Sequence, residues 1–481
     1  FYQSDCLQRR SNLNEGIRRH MDPLTVMRPR IEDEKELIFG KAPAPVECGH
    51  GLVLGGGEVY PEINFTLPSM NMDPSDREPA RRQYQEMITQ VCQRAVELQA
   101  PGILVEIELL PPMTMAPDWG AETTALVRKT LDEFHSKHGL CSALRLTPVD
   151  VRDNERPPRM RSGELTQLTL RTFELCAQEG ADLLSIESTG GKEVHDVALL
   201  NGDLAGVLFA LGVLGVNDMN FLWGKIGQIA KQQGCISAGD TACGFANTAM
   251  VLADKGMISR VFASVVRVVS AVRSLQAYHQ GAVGPSKDCA YEGSFLKAFL
   301  GIPISMEGKS SACAHLSHLG NIASACCDIW SNESVQNVRL LSASAPVVSM
   351  EQLVYDCRLM NQATSQGKEA ALQLRDWMVE SDASLDPQAH VLRPDVVVRL
   401  AKKMAEGETP LAMARLAAEE TLVVLHEAFD AGKLKLNTTE QRWLALLDGQ
   451  VETLPEDEET LATMLTSSSP DLEFLPEEYG L

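Results

Sequence analysis

Positive charge, long apolar runs and aromatic side chains are all in short supply in this chain. Its 43 Lys and Arg are outnumbered by 65 Asp and Glu, for a formal net charge of -22. A surface this acidic repels nucleic-acid phosphates and anionic lipid headgroups, so neither is expected as a partner. The strongest apolar stretch, residues 197–216, is interrupted by Asn201 and Asp203. Its unbroken part, 206–216, falls short of the roughly 20 residues a membrane span needs, so it reads as a buried helix of a globular core. Arg9, Arg10, Arg18 and Arg19 near the start have no apolar segment behind them, and no signal peptide is expected. No repeat of solenoid period is present.

Paired cysteine motifs are missing too. The 12 cysteines are scattered from Cys6 to Cys357, several in apolar surroundings such as Cys92 and Cys176. A chain of 481 residues with 44% hydrophobic content does not need a disulfide framework. Free thiols in a reducing cytoplasm are the expectation. Nucleotide-binding fingerprints are incomplete. Gly55-Gly56-Gly57 runs into Tyr60-Pro61 rather than a helix, and Gly308-Lys309-Ser310 lacks the upstream glycine of a phosphate loop. Cys313, His315 and His318 lie close together, but Cys313 and His315 point apart on a helix, and the small apolar neighbours favour packing over a metal cluster.

What the chain does have is an alternation of short β-rich runs with longer helical patterns between residues 102 and 344. Strands are expected at 103–107, 143–146, 182–186 and 235–238, with weaker ones at 277–283, 303–306 and 338–341. Helices are expected at 122–137, 164–178, 199–214 and 223–233. Repeated β-α units imply a parallel sheet covered by helices, and this many units favour an eight-stranded (β/α)8 barrel over an open doubly wound sheet. Residues 46–68, rich in Gly, Pro and β-branched side chains, read as a loop or hairpin capping the barrel. The expected organisation is therefore an N-terminal extension and cap over 1–100, a TIM-type barrel over 101–366, and a helical C-terminal region over 367–481. Helices are expected there at 368–379, 394–405, 410–431 and 438–447, followed by an acidic, flexible or partner-facing tail.

Glu187, Cys243 and Cys289 each fall just beyond an expected strand. Strand ends of a parallel barrel emerge on one face, so these three can converge. One carboxylate and two thiolates with a position left open match a catalytic zinc site rather than a closed structural one. The same spacing also fits a rim salt bridge and two small packing cysteines, because no local CxxC-type signature supports a metal.

Longer phrases add a resemblance. They are Gly55-Gly56-Gly57-Glu58-Val59-Tyr60-Pro61-Glu62-Ile63-Asn64-Phe65-Thr66-Leu67-Pro68, Ser185-Ile186-Glu187-Ser188-Thr189-Gly190-Gly191-Lys192, Gly239-Asp240-Thr241-Ala242-Cys243-Gly244-Phe245-Ala246-Asn247-Thr248 and Gly284-Pro285-Ser286-Lys287-Asp288-Cys289-Ala290-Tyr291-Glu292. Together they resemble the zinc-containing, methanol-activating subunit of the methanol–corrinoid methyltransferases of methanogens and acetogens. The similarity runs from about Ile38 to the C-terminal helices, and the Arg-rich start has no counterpart.

The resemblance implies a barrel with zinc ligands at Glu187, Cys243 and Cys289. It implies methanol as substrate and, as methyl acceptor, the cobalt of a corrinoid carried by a separate protein, commonly in an assembly of two such heterodimers. An oxygen-free cytoplasm follows. The chain has no Asp-x-His-x-x-Gly phrase with which to hold a corrinoid itself. Three anionic ligands soften a zinc ion's acidity, so a proton donor is expected as well. Asp240 and Asp288, beside the two cysteines, are the candidates, with orientation of a ligand the weightier role for both. Glu58, Glu62 and Asn64 are candidates for lining the pocket, and Lys192 and His195 for supporting it. Two other readings stand beside this one: an O-demethylase for methoxylated aromatics, and a non-catalytic barrel scaffold with structural cysteines. The 5% aromatic content leans toward a small substrate.

Overall fold

The structure, a computed structural model, describes residues 28–67, 76–308, 317–335, 340, 343–468 and 474–481. An antiparallel hairpin comes first, β1 (Lys41–Cys48) and β2 (Leu52–Gly56). Eight strands then form one parallel sheet: β3 (Tyr60–Thr66), β4 (Ile103–Leu109), β5 (Ser142–Pro148), β6 (Leu183–Ile186), β7 (Ile236–Asp240), β8 (Ser286–Asp288), β9 (Ile304–Glu307) and β10 (Ile329–Val335). The order β7-β6-β5-β4-β3-β10-β9-β8 places the last strand against the first. Across the remaining seam, between β7 and β8, the amide of Val283 donates to the Ser237 carbonyl at 2.9 Å. The sheet is thus a barrel closed but for that narrow seam, with helices around it, as the β-α rhythm predicts.

Two corrections concern where the barrel begins and which runs are strands. The first barrel strand is β3, inside the segment expected to be a cap; only β1 and β2 form the hairpin. The strand expected at 277–283 belongs instead to the end of helix Arg260–His279 and a turn, and β8 follows at Ser286–Asp288. Of the strand expected at 338–341, residues 338, 339 and 341 lie outside the described residues; the last barrel strand is β10.

Of the strands missed, β3 carries polar residues at alternate positions and β10 carries four in a row, Ser331-Asn332-Glu333-Ser334. Strand side chains alternate faces, and the alternate positions Glu62 and Asn64 on β3, like Ser331 on β10, are almost wholly buried. Ile63 and Phe65, fully buried on the other face of β3, pack in the main core. A strand polar on one face does not produce the continuous apolar run expected of a buried parallel strand.

The hairpin plugs the end of the barrel where strands start. Cys48, Leu52 and Leu54 pack there on Tyr60, Leu104, Ala143, Leu183 and Ile329 as a small separate core. The opposite end, where strands finish, stays available for chemistry. Helix Pro117–His138 starts with Pro at its first turn and stops at Gly139, whose φ of 68° suits a glycine cap. Helix Arg260–His279 is capped by Ser259, whose Oγ accepts from the Phe262 amide at 2.9 Å. Its Val265, Val268, Val272 and Leu275 are at most 1% exposed, each contributing about 1.5–3 kcal/mol by burial. Residues 204–233 are long and apolar enough to cross a membrane, yet 78% of the apolar window is buried within the molecule.

The C-terminal region is helical over Lys368–Glu380, Pro394–Met404, Pro410–Asp430 and Thr438–Glu452. The end of the chain is not loose. Helix Pro476–Tyr479 docks beside the loop after β5: Glu478 accepts from the amides of Arg161 at 2.7 Å and Ser162 at 3.0 Å. Arg9, Arg10, Arg18, Arg19, Lys309, Ser310, Cys313 and His315 lie outside the described residues.

Candidate metal centre

Glu187 follows β6, Cys289 follows β8, and Cys243 opens a π-helical turn, Cys243–Asn247, three residues past β7. All three are therefore at the strand-end face. Their carboxylate oxygen and two sulfurs lie within 4.8 Å of one another, and they are the one such group among the described residues. The Cys289 thiol donates to Glu187 Oε1 at 3.3 Å. Cys289 is buried, whereas Cys243 and Glu187 are partly open to the mouth. The three candidates that spacing alone left open are thus brought together.

Sequence reasoning missed the residues that surround them. Lys287 lies two positions before Cys289 on the same strand face, and its Nζ is 2.9 Å from Glu187 Oε1, 3.3 Å from Glu106 Oε1 and 3.3 Å from Glu108 Oε2. Burial opposes the ammonium charge, but the three carboxylates outweigh it and raise its pKa well above the usual lysine range. Burial pushes Glu106 up to about 7 against the pull of Lys287. Asn247, four residues after Cys243, donates through Nδ2 to Cys243 Sγ at 3.5 Å and to the Cys289 carbonyl at 2.7 Å. The i, i+2 and i, i+4 spacings were the available signals for Lys287 and Asn247.

Asp240 and Asp288 are placed elsewhere than the converging atoms. Asp240 is fully buried and accepts from Trp223 Nε1 at 3.1 Å, Arg273 Nη1 at 3.2 Å and the Ser188 amide at 3.4 Å. Burial raises its pKa, with Arg273 pulling the other way. Asp288 accepts from the Gly293 amide, and burial followed by the adjacent Glu292 carboxylate pushes it well up. Glu292 in turn accepts from the Ala242 amide at 2.7 Å and from Ser274 Oγ at 2.9 Å.

The other candidates divide between the two ends of the barrel. Glu62 is buried and paired with Arg145 at 2.7 Å, and Asn64 donates to Glu108 at 3.3 Å. Glu58 accepts from Tyr60 at 3.1 Å at the starting end of β3, away from the mouth. Lys192 pairs with Asp196 at 2.5 Å. His195 is buried, its ring edge-on to Phe245 at 5.0 Å and its Nδ1 donating to Asp196 at 3.1 Å.

Close approach explains the glycine pair after Glu187. A Cβ on Gly190 would stand 2.4 Å from the Asp218 carboxylate. Gly191, at φ 87°, would meet the Ala210 carbonyl at 2.7 Å. Asp218 is engaged by Arg152 Nη1 at 2.7 Å, Arg152 also pairs with Asp150 at 2.8 Å, and Asp150 accepts from the Thr189 amide at 3.0 Å.

Residues 25–480 match the model of the methanol-cobalamin methyltransferase B subunit family. The chain belongs to that family. A methanol–corrinoid protein co-methyltransferase of Methanosarcina barkeri is 40% identical over 452 residues, 92% of this chain and 96% of its own length. A crystal structure of the methanol:cobalamin methyltransferase complex MtaBC from Methanosarcina barkeri superimposes with a TM-score of 0.89 at 38% identity, covering 95% of this chain and 99% of that one. The family is one of methyltransferases, in keeping with the resemblance in the sequence.

Proposed function

We propose that this methyltransferase holds one zinc ion at Glu187, Cys243 and Cys289 and uses it to transfer the methyl group of methanol to a corrinoid on a separate protein. The observation that carries the reading is the convergence of one carboxylate oxygen and two sulfurs within 4.8 Å at the barrel mouth. Two soft donors and one hard one, with a position left open, suit a catalytic zinc. When bound, the ion supplies a Lewis acid to the methanol oxygen, easing its departure as the C–O bond breaks.

The chain's own residues set up that chemistry. Lys287 holds one oxygen of Glu187, so the carboxylate keeps a fixed direction toward the two sulfurs. Asn247 directs an N–H at Cys243 Sγ and holds the Cys289 carbonyl with the same amide nitrogen, so it spans two of the ligand segments. Glu62 and Glu106, fully buried in the barrel, pair with Arg145 at 2.7 Å and Lys287 at 3.3 Å. We assign Asp240 and Asp288 to orientation rather than proton donation. Supporting this, Asp240 accepts from the Ser188 amide beside Glu187, and Asp288 accepts from the Gly293 amide just after Cys289.

The acceptor is placed on a partner because the chain lacks a corrinoid-holding phrase and the relatives are named for a corrinoid protein and a complex with one. Two heterodimers in a reducing cytoplasm is the assembly we expect. The test is a methyl-transfer assay with the corrinoid partner, comparing methanol with a methoxybenzoate before and after chelation. Turnover of methanol that stops on chelation and returns with zinc supports the reading. Turnover of the methoxybenzoate alone, or turnover indifferent to chelation, overturns it.

A further inference from the structure

All three loops that carry the candidate ligands are tied to a single buried helix, Arg260–His279. Arg273 is fully buried and reaches two of them at once. Its Nη2 donates to the Ser188 carbonyl at 2.6 Å and to Ser188 Oγ, one residue after Glu187. Its Nη1 donates to Asp240 at 3.2 Å and to the Thr241 carbonyl at 3.5 Å, just before Cys243. The guanidinium also lies over the ring of Phe245 at 4.7 Å, two residues after Cys243. On the same helix Arg267, also fully buried, donates to the Ala290 carbonyl next to Cys289 and to Gln388 Oε1 at 2.9 Å. Ser274 completes the set through Glu292, which accepts from the Ala242 amide.

We infer that Arg273 is a positioning residue for the metal: its planar fork fixes the spacing between the Glu187 carboxylate and the Cys243 sulfur. This rests on the zinc reading above. A fork with several donors in one plane can hold two loops in register, whereas a lysine ammonium at the end of a flexible stem cannot satisfy both. Partners that orient metal ligands from outside the coordination shell typically change affinity 10–100-fold when removed. The chemistry of the three donors is untouched by the substitution, so its effect falls on their spacing.

The experiment measures zinc affinity by competition with a chromophoric chelator for the wild type, Arg273→Met and Arg273→Lys, with circular dichroism confirming each fold. The thiolate-to-metal charge-transfer band of the cobalt(II)-loaded proteins is recorded alongside. Arg273→Met is expected to bind zinc about 10–100-fold more weakly and to show an altered band, with Arg273→Lys between it and the wild type. Wild-type affinity and band in a folded Arg273→Met protein overturn the inference. If that variant does not fold, the same result in Arg273→Lys overturns it. A wild type that binds no zinc sinks the metal reading itself, a separate outcome from equal binding in all three proteins.

Discussion

Replacing Lys287 by Met removes the one ammonium among the described residues that pairs with Glu187, Glu106 and Glu108, at 2.9, 3.3 and 3.3 Å. At about 3 Å and an effective dielectric constant of roughly 20, each pair is on the order of 5 kcal/mol before desolvation is counted. Burial of the four groups offsets most of that, and deleting one partner of a buried pair costs about 3–5 kcal/mol. The loss should depend on pH through Glu106, which burial holds at about 7 with Lys287 present. Without the lysine only Arg145 still opposes burial, and the carboxyl stays protonated to higher pH. The unfolded chain releases this proton near the usual glutamate pKa in both proteins. The native wild type releases it through about 7, while the native variant retains it. Variant stability therefore keeps falling above pH 7, by about 1.4 kcal/mol per unit, where this contribution in the wild type has levelled off. Urea unfolding of the metal-free proteins should give a cost of about 3 kcal/mol at pH 6 and about 4–5 kcal/mol at pH 8. Zinc should reduce it, since a cation then faces Glu187 from the other side. A cost that is equal at the two pH values, or smaller at pH 8, would refute the reasoning.

His195 is buried and neutral by desolvation, its pKa lowered from 6.5 against the pull of Asp196. Its contribution to stability is present above 6.5 and is lost as the pH falls below it, so His195→Gln should flatten the decline between pH 6.5 and 5 in a denaturant series. Tyr479 accepts from the Gly191 amide at 2.9 Å and donates to Glu193 at 2.6 Å. Tyr479→Phe strands both partners and should cost about 1–3 kcal/mol by urea unfolding. Gly190→Ala drives a methyl group toward the Asp218 carboxylate and should lower both the melting temperature and the zinc content. An unchanged melting temperature there would show that the loop has room the structure denies it.

How much of this was legible in the sequence depended on which face of a strand carried the signal. Strands β4, β5 and β6 have apolar runs on both faces, Ile103-Leu104-Val105 and Leu183-Leu184 among them, and periodicity finds them. Strands β3 and β10 bury Glu62, Asn64 and Ser331, and polar residues at a buried face read as loop to any pattern based on hydrophobicity. The triad was legible because strand ends of a parallel barrel share a face. Its support was not, because Arg273 and Arg267 stand on a helix whose Val and Ala residues read as plain core. Nor does a chain-end pattern of Pro, Glu and Tyr announce that Glu478 fastens the loop after β5 and Tyr479 the loop after β6, each a contact across more than half the chain.

The central claim is most directly tested by metal analysis of protein purified without chelator, with X-ray absorption at the zinc edge, for the wild type and for Glu187→Ala, Cys243→Ala and Cys289→Ala. We expect about one zinc per chain with two sulfur neighbours in the wild type, and substantial loss of metal in each variant. Zinc retained at full content in the two cysteine variants, or bound without sulfur in the wild type, would contradict the account.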